Sequence, residues 1–259
     1  TAWFGTSFCP RAERILDLGS GIGTVALIAA WRLPAARLVT VEAQEPSVRL
    51  ARASIRLNGL EGRFDSRHYD FRESEALGPE ERFDLITGTP PYFPPGTGVP
   101  PPHPQKLACR FELRGSVADY AQVAARHLAP GGVFAGVFPW AQWARVQEAA
   151  LESGLKIVRE RPVVLREGEP PLLGLFLMMR SDHLPERLPS GSAVEPGEQR
   201  ERQEKGVGFR ASESERSPGS GREAKCGAVW REPELVIRAQ DGSVHPEYVA
   251  VKLSFGFPP

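Results

Sequence analysis

The sequence predicts an α/β fold, a mostly parallel sheet of seven strands with helices on both faces. Three observations carry that expectation. From Arg14 onward, apolar runs of strand length alternate with stretches of helical period. The first run ends in a glycine-rich turn, Asp17 to Gly23 (D-L-G-S-G-I-G), that opens directly onto a helical stretch. Later runs end at Glu42, at Asp70 and at the turn Thr89-Pro90-Pro91-Tyr92, so chemically capable residues gather along one edge of the sheet.

In chain order, residues 14–18 form the first strand and 24–32 a helix with Val25, Ile28 and Ala29 at core spacing. Residues 38–41 are a β-branched second strand. Residues 46–58 read as a helix with Pro46 in its first turn, Val48, Ala51 and Ile55 as its buried stripe, and Gly59 as its stop. Strands follow at 64–69 and 83–88, then a proline-rich loop at 94–104. A helix carries Val117, Tyr120, Ala121, Ala124 and Leu128 on one face until Pro130-Gly131-Gly132 breaks it. Residues 133–138 make a fifth strand, 140–153 a helix stopped by Gly154, and 157–165 with 172–179 two closing strands.

These elements place one domain at residues 1–180, with little lead-in before the first strand, so the chain reads as truncated at that end. Residues 181–233 are dominated by Glu, Arg, Ser, Gly and Pro and cannot bury enough surface to order themselves; they read as a disordered insert. Residues 234–259 recover strand-like alternation around Asp241-Gly242 and are expected to return to the sheet.

Composition removes several function classes. Lys plus Arg equals Asp plus Glu at 32 each, so no global basic field argues for nucleic acid and any such contact must be local. Cys9, Cys109 and Cys226 are far apart and the five histidines are scattered, which suggests neither a disulfide framework nor a metal site. The longest apolar runs are too short to span a bilayer, so a cytoplasmic location is expected.

The turn chemistry narrows the ligand. A dinucleotide fingerprint is G-x-G-x-x-G, whereas Gly19, Gly21 and Gly23 alternate singly. Asp17, two residues before Gly19, would crowd a pyrophosphate but could hold an ammonium or a hydroxyl. A cationic nucleoside without phosphates fits, and S-adenosylmethionine has those properties; by itself, a glycine-rich turn can also be only a turn. Glu42 comes about 20 residues beyond the glycines, where doubly wound folds put a carboxylate on ribose hydroxyls. Asp70 could accept from an adenine amino group or cap the segment after it.

In Thr89 to Tyr92 the two prolines stiffen the backbone and remove amide donors, leaving carbonyls to accept from an amino group, while Tyr92 offers a flat face for a planar base or amide. A nitrogen held there beside a methyl sulfonium needs no metal and no strong base, because a neutral thioether leaves and the proton departs afterwards.

D-L-G-S-G-I-G, Val41-Glu42 and P-P-Y at 90–92 together resemble the class I S-adenosylmethionine-dependent methyltransferases, a Rossmann-like fold, with a D/N/S-P-P-Y/F/W motif. P-P-Y-F at 90–93 with Gly96, N-G-L at 58–60 and D-G-S-V-H-P-E at 241–247 are similar, more narrowly, to the bacterial tRNA adenine methyltransferases acting on the valine tRNA anticodon loop. The resemblance implies that Asp17, Gly19, Gly21, Gly23, Glu42 and Asp70 bind the cofactor and that Thr89, Pro90, Pro91 and Tyr92 hold the target amino group. Thr89 stands where that family has Asn or Asp, and the helix that usually precedes the first strand is not recognisable. The implied partner is tRNA or another RNA. Lys106, Arg110 and Arg114 are candidate phosphate contacts, although such charges are often only a solvated face.

Overall fold

The computed structural model describes residues 1–184 and 229–258. Strand β1 (Arg14–Leu18) lies between β2 (Arg37–Glu42) and β4 (Phe83–Gly88), with β3 (Phe64–His68) beyond β2, all parallel. Next to β4 comes β5 (Leu128–Pro139), also parallel. The hairpin β6 (Leu155–Arg166) and β7 (Leu173–Arg180) then inserts β7 antiparallel between β5 and β6. The order β3-β2-β1-β4-β5-β7-β6 reverses between β1 and β4. There the connections leave on opposite faces and open a crevice at the carboxyl ends of the strands.

Alternation along the strands sorts the core into two layers. Leu16, Leu18, Ile86 and Phe134 face helices α5 (Val117–His127) and α6 (Trp143–Glu152). Ile15, Leu38, Leu85 and Val133 face α1 (Ala2–Phe8) and α2 (Thr24–Arg32). Each such fully buried side chain contributes about 2 kcal/mol, so a one-residue slip of any strand would be costly. Helix α3 (Glu45–Leu57) leads from β2 to β3, and the short α4 (Pro104–Arg110) lies beyond the proline turn that follows β4. Among the described residues no helix is long and apolar enough to cross a membrane.

Four features depart from the sequence reading. Among the described residues the sheet has nine strands rather than seven, because β8 (Trp230–Arg231) and β9 (Leu235–Arg238) both pair in parallel with β6. The expected insert of 181–233 is ordered at both flanks: Ser181–His183 is a 3-10 turn, and Trp230 and Arg231 belong to the sheet. Its remainder, 185–228, lies outside the described residues. The end of the chain is not all strand-like, since Pro246–Leu253 forms helix α7. Pro246 pre-sets the first helical turn and His245 Nδ1 accepts from the Glu247 amide at 3.3 Å, so Tyr248 and Val251 pack as a helical pair, not as alternating strand residues.

A lead-in also exists, as α1. It lies so close to the sheet that a Cβ on Gly5 would come within 3.0 Å of Ala135 Cβ, and Arg32 holds it through Thr6 Oγ1 at 2.6 Å and Ser7 Oγ at 3.1 Å.

Candidate functional site

The glycine turn after β1 is built from backbone that other residues adopt only with strain. Gly19, Gly21 and Gly23 have φ of 58°, 56° and 86°. The turn is fastened to its neighbour: Ser20 N donates to Val41 O at 3.1 Å. Glu42, only 8% exposed, accepts from Gly21 N at 2.8 Å and from Gln44 N at 2.7 Å, so each carboxylate oxygen already carries a backbone amide. Glu42 therefore shapes the glycine turn besides standing where the sequence places a ribose contact.

Asp17 sits beneath that turn in a polar row that crosses three strands. The parallel register puts Thr40 and Thr87 directly beside it. All three are buried, and Thr87 Oγ1 donates to Asp17 Oδ1 at 2.6 Å. Among the described residues Asp17 Oδ2 and Thr40 Oγ1 meet no partner in hydrogen-bonding geometry. Burial pushes the Asp17 carboxyl up to about 7, against the opposing pull of the Thr87 hydroxyl and the Ala26 backbone amide. A buried carboxylate oxygen without a partner is costly, and a ligand bearing an ammonium or hydroxyl would relieve it. On this ground the residues present fit a cation-bearing nucleoside.

The turn Thr89 to Tyr92 leaves β4 on the same edge. It is pinned from behind: Arg110 O accepts from both Tyr92 N at 3.1 Å and Phe93 N at 3.0 Å, and Phe93 O accepts from Glu112 N at 2.9 Å. The Tyr92 ring is half-buried and meets Phe138 edge-on, with centroids 5.7 Å apart. The four carbonyls are not all free as acceptors, because Gln142 Nε2 donates to Tyr92 O at 3.0 Å. Those of Thr89, Pro90 and Pro91 carry no hydrogen bond among the described residues. Thr89 itself is exposed.

Other expected contacts are committed locally. Asp70 Oδ1 accepts from Arg72 N and Nε and Oδ2 from Arg72 Nη2 at 2.6 Å, a pairing that holds its carboxyl below the usual carboxylate range. Asp70 does cap the turn after it. Arg114 Nη1 donates to Ala43 O at 2.9 Å, just beyond β2, and Arg110 stacks 5.5 Å over Phe93 beside the target turn. Lys106 is exposed on α4.

Sequence reasoning placed Tyr120 only on the buried face of a helix, yet it reaches the crevice. A Ser116–Asp119 capping box starts α5 and sets Tyr120 in its first turn. The ring lies edge-on to Phe71 at 4.5 Å, a Cβ on Gly88 would come within 2.6 Å of it, and a Cβ on Gly19 would overlap its hydroxyl. Gln142 was likewise missed. Both roles depend on contacts across more than 30 residues of sequence, which no local pattern encodes.

Comparison with known proteins bears on the family and the fold. The methyltransferase small domain family matches residues 5–98. The chain is 31% identical over 170 residues to a tRNA1(Val) (adenine(37)-N6)-methyltransferase of Tolumonas auensis, covering 65% of this chain and 69% of that protein. A Bacteroides thetaiotaomicron protein of the same name is 32% identical, covering 62% and 66%. The chain thus spans about two thirds of these relatives. A release factor glutamine methyltransferase of Aliivibrio fischeri is 31% identical over 106 residues, covering 40% of this chain and 34% of that protein. Among solved structures, a predicted O-methyltransferase from Agrobacterium tumefaciens superposes with a TM-score of 0.63 at 18% identity, covering 99% of this chain and 96% of that one. TrmN from Thermus thermophilus superposes at 0.51 with 24% identity, covering 69% and 48%. Both likenesses speak to the fold.

Proposed function

Because the chain belongs to the S-adenosylmethionine-dependent methyltransferases, in the family of the tRNA1(Val) (adenine(37)-N6)-methyltransferases, we propose that it methylates the exocyclic amino nitrogen of an adenine in tRNA. The observation that carries this reading is the pinned turn Thr89 to Tyr92 standing across the β1/β4 crevice from the glycine turn. When bound, the cofactor supplies a methyl group on an electrophilic sulfonium. Asp17 and the turn Gly19, Gly21, Gly23 hold its charged end, Glu42 its ribose and the backbone around Asp70 its base. The free carbonyls of Thr89, Pro90 and Pro91 accept the amino hydrogens of the target, and Tyr92 stacks on its ring. That geometry turns the nitrogen lone pair out of conjugation and fixes it for in-line attack. Lys106 meets backbone phosphates, with Arg110 and Arg114 adding charge. A tRNA substrate places the work in the cytoplasm.

Thr89 favours one rival. It substitutes a short hydroxyl for a planar carbonyl side chain, and the glutamine methyltransferases among its relatives act on a protein amide. Incubation with methyl-labelled cofactor, tRNA lacking modifications and a protein extract separates the two. The expected result is label in N6-methyladenosine from tRNA. Label in a glutamine amide of protein, with none in tRNA, would overturn the RNA reading and keep the amino-group chemistry.

A further inference from the structure

Two glycines at the ends of neighbouring strands make room for one phenol. Gly19, beyond the end of β1, and Gly88, the last residue of β4, both lie so close to Tyr120 that any side chain there would collide with it. Gly115, with φ of 115°, lets the chain pass Phe71, which in turn holds the Tyr120 ring edge-on; a Cβ on Gly115 would stand 2.8 Å from Phe71 Cζ. Tyr120 is 4% exposed and its hydroxyl has no hydrogen bond to the protein among the described residues. The phenol is thus fixed across the switch point of the sheet with its one polar atom unspent.

Position along the edge says which part of the ligand it meets. Asp70 follows β3 and Glu42 ends β2, so the base and ribose lie toward that side. The target turn follows β4, so the methyl group must lie there, and the amino-acid end falls between, over Gly19 and Gly88. The groups whose charge acts on the Tyr120 hydroxyl are Glu42, Asp17, Asp70 and Cys109, all of them acids. An ammonium suits such a cluster; a carboxylate on the same ligand does not, and requires a donor that the cluster cannot ionise. Burial and these carboxylates push the Tyr120 hydroxyl well above the usual phenol range, so it stays a donor at any physiological pH.

We propose that the Tyr120 hydroxyl is a cofactor-binding group that donates a hydrogen bond to the carboxylate of the cofactor's amino-acid end, making the site selective for nucleosides that carry that end. The inference rests on the cofactor reading above.

Calorimetric titration of the wild type and Tyr120→Phe with S-adenosylhomocysteine and with 5′-methylthioadenosine, which lacks the amino-acid end, tests it. The phenylalanine keeps the ring contacts with Phe71 and Gly88, and unchanged thermal melting verifies that the fold is intact. S-adenosylhomocysteine should bind the variant at least about ten-fold more weakly, with 5′-methylthioadenosine unaffected. Equal S-adenosylhomocysteine affinity in both proteins, or equal weakening of both ligands, would overturn the assignment. Failure of the wild type to bind either ligand would instead overturn the cofactor reading, and the assignment with it.

Discussion

Asp17 carries the sharpest pH dependence of the site. An ordinary aspartate ionises near 3.8, and burial raises Asp17 to about 7 in the folded chain. Between these values the folded protein keeps a proton that the unfolded chain has released, so this residue's contribution to stability falls as pH rises through that window and is least favourable above pH 7. A cationic ligand acts the opposite way, because its ammonium favours the carboxylate. Binding of S-adenosylhomocysteine at pH 7 should therefore release a fraction of a proton, seen as a dependence of the calorimetric heat on buffer ionisation enthalpy. Affinity should rise between pH 6 and 8, and Asp17→Asn should remove both effects. A buffer-independent heat in the wild type would refute the pairing. Asp17 was legible in the sequence because its distance from the glycines is set by one continuous strand and turn. Its orphaned oxygen was not, because the buried row with Thr40 and Thr87 exists only in the register of three strands.

At the scale of elements, the target turn is held by a relay that starts in α6. Arg145 bonds Gln142 Oε1 and the carboxylate of Glu112, and Gln142 then holds Tyr92 O. The prolines stiffen the turn internally, and these contacts join the backbone bonds to Arg110 and Glu112 in fixing where it points. Gln142→Leu should leave cofactor affinity unchanged, since the bonds of the Gln142 side chain go to Tyr92 and Arg145, and should lower kcat about ten-fold, within the loss that a small misplacement of a reacting group causes. Steady-state kinetics with a parallel ligand titration distinguish the outcomes; a matching loss of affinity would mean that the change spreads through the whole site. The proline turn and the strand before it could be read from residues 83–92 alone. The brace could not, because Gln142 follows Tyr92 by a full helix and strand, and α7 was misread for a related reason: Tyr248, Val249, Val251 and Leu253 satisfy a strand pattern unless the helix-starting Pro246 is weighted first.

The whole molecule is closed by a clasp on the far side of the hairpin. Arg161, 7% exposed in β6, pairs with Glu232 at 3.4 Å just beyond β8 and with Glu247 in α7, and its guanidinium stacks 5.5 Å over Trp3 of α1. One side chain thus joins the first helix, an inner strand of the sheet and the last helix. Arg159 supports the same cluster through Glu232 at 3.0 Å. Taking Arg161 away leaves Glu247, 39% exposed, to water and Glu232 with Arg159, so the cost is nearer that of a half-exposed pair, about 1 kcal/mol. In Arg161→Met the stem still packs, but Glu247 loses its partner and Glu232 keeps only Arg159. Melting should fall by about 4 °C for a chain of this size, and limited proteolysis should cut first between β9 and α7, around Asp241-Gly242, because the clasp no longer ties that turn down from both sides, while the Arg32 bonds to Ser254 and the packing of Tyr248, Val251 and Phe255 keep the final residues in place. The added charge-reversal variant Glu247→Arg should be cut at the same place with Arg161 intact. If both variants melt like the wild type and resist proteolysis, then apolar packing of α7 on α1 and α2, rather than the clasp, is what holds the two ends of the chain together.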